Sequence, residues 1–316
     1  MKSVLITGAA GFIGSHLAER LLERGDRVVG VDNFNTYYDP AVKRRNIETA
    51  LANASYALHE MDICDEARVH EVFDKERPDV VVHLAARAGV RPSLADPNLY
   101  HRVNVIGSQH ILDACREFEP SHLVFASSSS VYGGCTEVPF DEENPVSRPI
   151  SPYAATKRMN ELQAHVYSHL YGVNITMLRF FTVYGPRQRP DMAIHKFTRL
   201  IDAGESVPMF GDGSTARDYT YIDDILDGLT RAVDTPLRYE IVNLGESRTT
   251  ELRDLIDLIA KHAGKPAKIE QMPLQPGDVT ITYANIDKAR RLLGYNPQFD
   301  MDEGIRRFVA WYRQQA

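Results

Sequence analysis

Three glycines, Gly8, Gly11 and Gly14, lie between a short apolar run, residues 2–7, and a stretch whose apolar residues Leu17, Leu21 and Leu22 recur at helical spacing. That order reads as strand, tight turn and helix. Gly8 permits the turn, Gly11 lets the backbone approach a pyrophosphate, and Gly14 lets the helix pack closely on the strand. The helix start, with Phe12 and Ile13 in its first turn, offers unpaired N–H groups to phosphate. A second strand over residues 27–32 ends in Asp32, about twenty positions on, where a carboxylate would hold a ribose 2′-hydroxyl. Asp32 followed by Asn33 would repel a 2′-phosphate, so NAD is expected as cofactor rather than NADP.

The alternation continues. Residues 56–60, 80–84 and 122–126 read as strands, and 66–73, 98–117 and 152–171 as helices. Such spacing implies an α/β fold of the Rossmann type, a doubly wound parallel sheet with helices on both faces. Ligands then sit at the carboxyl ends of the strands. Asp62 and Ile63, the run Leu84, Ala85 and Ala86, and Ser127 with Ser128 all follow strands and are expected to meet cofactor or substrate. Asn104 falls inside a helix with no capping role, and a contact to the active-site backbone is expected of it. After Leu178 the pattern becomes broken by glycine and proline, with helices at 192–203, 248–263, 287–293 and 301–314. This half reads as a smaller C-terminal α/β lobe for substrate. The division expected is 1–178 for the NAD-binding domain and 179–316 for the substrate lobe, with the lobes interleaved. Arg187, Arg189 and Arg217 stand in its irregular segments, where a guanidinium can pair bidentately with phosphate or carboxylate.

Chemistry is suggested by Tyr153 and Lys157, one helical turn apart, with the serine run 127–130 just upstream. A phenol with a pKa near ~10 is a poor base at neutral pH, but a neighbouring ammonium favours the phenolate. A serine hydroxyl from a strand end can pass the proton on. Most Tyr-x-x-x-Lys pairs are ordinary helix-surface contacts; the glycine turn gives this one a hydride acceptor to work with.

The formal charge of −7 makes nucleic acid and anionic membrane poor partners, so any anionic ligand must be met by local arginines. No apolar run approaches ~18 residues, and the first strand begins too early to leave room for a signal peptide, which points to the cytoplasm. Cys64, Cys115 and Cys135 are too few and scattered for a disulfide framework or zinc site, and the eleven histidines show no ligand spacing, so no metal is expected.

From its first strand to its last helix the chain resembles the extended short-chain dehydrogenase/reductases, and within them the UDP-glucuronate 4-epimerases. The general motifs are Thr7-Gly-Ala-Ala-Gly-Phe-Ile-Gly14, Asp32-Asn33, Asp62-Ile63, the serine run, Tyr153-Ala-Ala-Thr-Lys157, Gly211-Asp-Gly-Ser-Thr-Ala-Arg-Asp-Tyr219 and Pro276-Gly-Asp278. Two segments narrow the group, Ala86-Arg-Ala-Gly-Val-Arg-Pro-Ser93 and Arg179-Phe-Phe-Thr-Val-Tyr-Gly-Pro-Arg-Gln-Arg-Pro-Asp-Met192. The resemblance implies that Ser128 is the active-site hydroxyl, Tyr153 the base, and Lys157 the residue that holds the nicotinamide ribose and lowers the tyrosine pKa. It implies that Ser129, Ser130, Thr182 and Arg189 hold a sugar carboxylate, and that Arg217 and Asp278 hold the nucleotide diphosphate and its ribose. Of Arg87 and Arg91, one is expected to face substrate, here assigned to Arg91, and the other to form a structural ion pair. Related epimerases often carry arginine before Pro-Gly-Asp, where this chain has Gln275, which removes one phosphate contact. The implied reaction inverts C4 of UDP-glucuronate to give UDP-galacturonate through a 4-keto sugar, in a homodimer built on helices 98–117 and 152–171. A UDP-glucose/UDP-galactose 4-epimerase is the runner-up. Decarboxylases and dehydratases typically place acidic residues beside the catalytic hydroxyl, where this chain has Ser129 and Ser130. A non-catalytic NAD-binding regulator would commonly lose the tyrosine or lysine, and both are present.

Overall fold

Seven parallel strands form the central sheet of the computed structural model, which describes residues 1–273 and 279–315. They are β1 (Ser3–Thr7), β2 (Arg27–Asp32), β3 (Tyr56–Glu60), β4 (Val80–His83), β5 (His122–Ser128), β6 (Ile175–Phe180) and the strand Tyr239–Leu244. From one edge the order is Tyr239–Leu244, β6, β5, β4, β1, β2, β3. The order reverses direction beside β1, so the crevice there is where a doubly wound sheet places its ligand. Val4, Leu5 and Ile6 are fully buried, as a parallel strand covered on both faces requires. Helix α1 (Phe12–Glu23) lays Leu17, Leu21 and Leu22 into the same core.

Several elements differ from the sequence reading. β5 runs two residues past its expected end, because Ser127 and Ser128 continue the ladder opposite Arg179 and Phe180 of β6. The helix expected over 98–117 is three pieces, Pro97–Tyr100, a π-helical segment His101–Gly107 and Ser108–Phe118. Within the π segment the Asn104 carbonyl accepts a 2.7 Å hydrogen bond from Asn160 Nδ2, a demand from outside the helix of the kind that accompanies such bulges. The helix expected from 248 begins at Leu252, since Thr250–Glu251 pairs with Ala216–Arg217 as a small antiparallel ladder.

The boundary at 178 passes through β6. The chain leaves the sheet after Phe180, returns for Tyr239–Leu244, and sends the helix Ile222–Asp234 back against α1 and β5. The smaller lobe consists of the parallel pair Ser206–Phe210 with Lys268–Met272, the parallel pair Thr182–Tyr184 with Tyr219–Tyr221, and the packed helices Ala193–Ala203, Leu252–Ala263 and Met301–Gln314. No helix among the described residues is long and apolar enough to cross a membrane.

Candidate active site

A cleft of about 600 Å³ opens at the carboxyl ends of β1, β2, β4 and β5, between the sheet and the smaller lobe. Its floor is the glycine turn. Gly8 has φ +72°, and a Cβ on Gly14 would lie 2.2 Å from the Gly8 carbonyl oxygen, so the approach of helix to strand tolerates no side chain there. α1 begins at Gly11 with no side-chain cap, leaving the first-turn N–H groups around Phe12 and Ile13 directed at the cleft. Asp32 ends β2 at the wall, its carboxylate accepting from the amides of Ala10 (3.1 Å) and Phe34 (2.9 Å). Asn33 Nδ2 donates to Asp62 Oδ2 at 2.9 Å. Burial alone would raise the Asp62 pKa, but the bonds from Cys64 and Asn33 outweigh it and the carboxyl is held below its ordinary value. Ile63, Leu84, Ala85 and Ala86 complete this wall, and Thr7 Oγ1 accepts from the Ala85 amide at 3.1 Å. An uncapped helix start, a crowded glycine cradle and a carboxylate at the end of β2 are the donor set a dinucleotide needs, so these residues fit NAD.

Asn104 does not line the cleft. It is fully buried, accepts from the Arg87 amide (2.7 Å), and donates to the Arg87 carbonyl (3.0 Å) and to Thr156 Oγ1 (3.0 Å). Its expected contact to active-site backbone is thus a brace on Arg87, with every side-chain group committed to protein.

The catalytic candidates meet at the other end. Ser151 caps the helix Pro152–Tyr171 by accepting from the Ala154 amide, Pro152 pre-sets its first turn, and Tyr153 and Lys157 then project one turn apart. Ser128, at the end of β5, lies within hydrogen-bonding reach of the Tyr153 phenol. Its Oγ accepts from the Ser130 amide at 3.1 Å, which leaves the hydroxyl proton for another acceptor. Lys157 Nζ donates to the Ala126 carbonyl at 2.8 Å.

Burial raises the Tyr153 pKa above the ordinary phenol value; the bond from Ser128 and the charge of Arg189 oppose it, and Tyr37 adds to the rise. Lys157 is itself pushed down to about 8 by burial, with Glu161 acting to hold it up. Without ligand the phenol is therefore a neutral acid, since desolvation dominates. The next neighbour, His83, bridges Thr7 Oγ1 (2.6 Å) and Ser108 Oγ (2.9 Å) and is pushed down to about 3 by burial and Lys157, so it is a neutral structural imidazole.

Ser129, Ser130, Thr182 and Arg189 line the cleft beside Ser128. Arg189 is held bidentately by Asp191, at 3.0 and 2.9 Å, while its Nη1 has no hydrogen-bond partner among the described residues. The other arginines meet different partners. Arg187, at φ +63°, pairs with Glu19 at 2.9 Å and ties the lobe to α1, away from the ligand wall. Arg217 donates to the carbonyls of Ala216 and Thr280 and is not part of the wall. Arg87 lines the cleft, and Arg91 does not; Arg91 is exposed with its guanidinium 4.9 Å from the Phe210 ring centre. Asp278 and Gln275 lie outside the described residues.

The sequence reading passed over Asn35, Tyr37, Tyr38 and Lys43, which line the cleft just beyond β2. Their nearness to Asp32 was the available signal. It also passed over Glu161, whose buried carboxylate accepts from Ser127 Oγ (2.7 Å), Arg158 (2.9 Å) and Arg179 (2.8 and 3.0 Å).

Comparison with known proteins agrees with this geometry. The NAD dependent epimerase/dehydratase family matches residues 4–245. The chain is 42% identical over 315 residues to a UDP-glucuronate 4-epimerase of Thermodesulfobacterium geofontis, covering 99% of this chain and 97% of that one. It is 43% identical to UDP-glucuronate 4-epimerase 4 of Arabidopsis thaliana, covering 98% of this chain and 75% of that one. Among solved structures, the UDP-glucuronic acid 4-epimerase of Bacillus cereus in complex with UDP-glucuronic acid and NAD superposes with a TM-score of 0.94 at 36% identity, covering 99% and 100% of the two chains. The UDP-glucose 4-epimerase of Thermotoga maritima with UDP-glucose gives 0.92 at 32%, covering 99% of each. A seven-stranded Rossmann-type sheet, a cleft suited to NAD and relatives aligned over nearly the full length lead to one conclusion: the chain belongs to the NAD dependent epimerase/dehydratase family.

Proposed function

We propose that this chain is an NAD-dependent UDP-glucuronate 4-epimerase, inverting C4 to give UDP-galacturonate. The observation that carries the reading is the placement of Ser129, Ser130, Thr182 and Arg189 in the same cleft as Ser128, Tyr153 and Lys157. A hydroxyl cluster with a guanidinium suits a sugar carboxylate, and the two positions after Ser128 hold no acid that dehydration or decarboxylation would use. The relatives that act on UDP-glucuronate support the same substrate.

Bound in this cleft, NAD supplies a hydride acceptor at C4 and a positive charge beside the phenol. Gly11, Asp32, Asp62 and the first turn of α1 are placed to hold it. Tyr153 takes the proton of the 4-hydroxyl, directly or through Ser128, whose own proton is free to move on. Because burial keeps the resting phenol neutral, Tyr153 would first lose its own proton to solvent in the loaded cleft, where Lys157, a donor to the Ala126 carbonyl, and the cofactor's charge would favour the phenolate that then takes the 4-hydroxyl proton. Inversion requires the 4-keto sugar to turn its other face inward, so the groups touching it must re-pair easily. Ser129, Ser130 and Thr182 can each donate or accept in either pose. Through Nη1, Arg189 can hold the carboxylate out of line with the ketone, which opposes loss of carbon dioxide.

We further propose a homodimer. Met159, Leu162, Val166 and Leu170 form an exposed apolar stripe at helical spacing along Pro152–Tyr171, and Ile106 is exposed on the neighbouring segment. Three unpaired cysteines suit a reducing compartment, which supports a cytoplasmic location. The deciding assay supplies UDP-glucuronate deuterated at C4, without added reductant. UDP-galacturonate with its label retained is expected. Carbon dioxide with a UDP-pentose, or faster turnover of UDP-galactose, moves the enzyme to another substrate class, and label lost to water removes the hydride mechanism.

A further inference from the structure

We propose that Tyr37 is a positioning residue that sets the preference for an acidic over a neutral sugar, by holding Arg189 and Arg87 against its ring within the cleft. This deepens the uronate reading above and rests on it. The Arg189 guanidinium lies 5.2 Å from the Tyr37 ring centre and that of Arg87 lies 5.6 Å from it. Two like charges gathered at one ring repel, and the aromatic ring offers each a favourable contact. Arg189 arrives from the segment after β6 and Arg87 from the segment after β4, so the ring joins two segments of the cleft lining. Asp191 occupies Nε and Nη2 of Arg189, while Arg87 has no carboxylate partner among the described residues. The pair of guanidiniums therefore carries more positive charge than its neighbours cancel, which is a setting for a further anion.

Tyr37 is itself anchored. Its hydroxyl donates to the Ala88 carbonyl at 2.9 Å, and the same oxygen accepts from the Tyr100 hydroxyl at 2.7 Å. Tyr100 in turn stands edge-on to Tyr153, ring centres 6.2 Å apart. Gly89, at φ +103°, closes the loop on this point: a Cβ there would lie 3.0 Å from the Tyr37 hydroxyl. The ring that orients Arg189 is thus registered to the base by one carbonyl and one aromatic contact. Loss of the ring leaves Arg189 held by Asp191 alone, with Nη1 able to turn to solvent, and the penalty falls on a ligand that carries a carboxylate.

Titration calorimetry on the NAD-loaded enzyme tests this with two ligands, UDP-glucuronate and UDP-glucose. Tyr37→Leu is expected to weaken UDP-glucuronate by about tenfold and UDP-glucose by less than about threefold. Tyr37→Phe keeps the ring and is expected to keep the wild-type preference. Equal weakening of both ligands by Tyr37→Leu assigns the residue to loop packing and overturns the proposal, as does a Tyr37→Phe variant that loses the preference. A wild-type enzyme that does not favour UDP-glucuronate overturns the uronate reading instead, before any variant is compared.

Discussion

Tyr153 sits where two demands conflict. Exclusion of water protects a reactive ketone, yet it also raises the pKa of the phenol that must become the base. Ser128 and Arg189 offset part of that penalty in the ligand-free protein, and the remainder must come from the loaded cleft. Tyr153→Phe is expected to lower kcat by roughly 10²–10⁴ while NAD stays bound, read by single-turnover assay and by cofactor retention on gel filtration. Near wild-type turnover would assign the proton transfer elsewhere. Glu246 presents a second buried titration. Burial, with Asp224 adding to it and Arg248 opposing, raises its carboxyl from 4.5 to about 8. One carboxylate oxygen has no hydrogen-bond partner among the described residues. A raised folded-state pKa means the folded protein binds the extra proton between those values, so stability falls as pH rises from about 4.5 to about 8 and stays low above it. Glu246→Gln is expected to be more stable than wild type near pH 8.5, by on the order of 2 kcal/mol, and equal to it near pH 4.5, measured by urea midpoints. A constant difference across that range would rule out the titration as its source.

At the scale of elements, β5, β6 and the helix Pro152–Tyr171 are joined by one buried ion pair. Arg179 of β6 is 1% exposed and its guanidinium meets the Glu161 carboxylate through two bonds, with the Tyr132 ring 4.8 Å beneath it. Glu161 also holds Ser127, the neighbour of Ser128, so the pair sets where the strand end and the catalytic helix stand relative to each other. Arg179→Met leaves that carboxylate without its main partner and is expected to cost about 3–5 kcal/mol in chemical denaturation. Adding Glu161→Leu should recover part of the loss. If the two losses simply add, the groups are not coupled. The same pair explains what the sequence hid. β1, β2, β4 and β5 were legible because Val, Leu and Ile runs are what a doubly covered parallel strand contains. Residues 175–180 and 239–244 include Arg179, Glu240 and Asn243, and a fully buried arginine in a strand makes sense only with Glu161 supplied from another element. The helix over 98–117 was legible in outline, but not its π segment, whose Asn104 carbonyl accepts a bond from Asn160, far away in sequence.

For the molecule as a whole, the stripe on Pro152–Tyr171 is the largest consequence not visible from any one site. Leu162 is 52% exposed and Leu170 61%, on the helix that carries the base. Leu162→Glu with Leu170→Glu is expected to shift the mass in light scattering from dimer to monomer, since two charges cannot be buried unpaired in an apolar interface. An unchanged mass would place any dimer contact on a different face.

The sequence by itself determined the parts whose physics is local. Glycine spacing dictates the turn, hydrophobic period separates strand from helix, and an i, i+4 interval puts Tyr153 and Lys157 on one face, because each follows from backbone geometry within a few residues. Tertiary structure alone decided what each arginine meets. Arg187 binds Glu19, Arg217 binds backbone carbonyls and Arg189 reaches the cleft, although all three look alike in the chain. It also decided charge. The protonation of Tyr153 and Lys157 is set by how much water the surrounding elements exclude and by Arg189 and Glu161 brought in from elsewhere, and desolvation is a property of the packed molecule that no single segment carries.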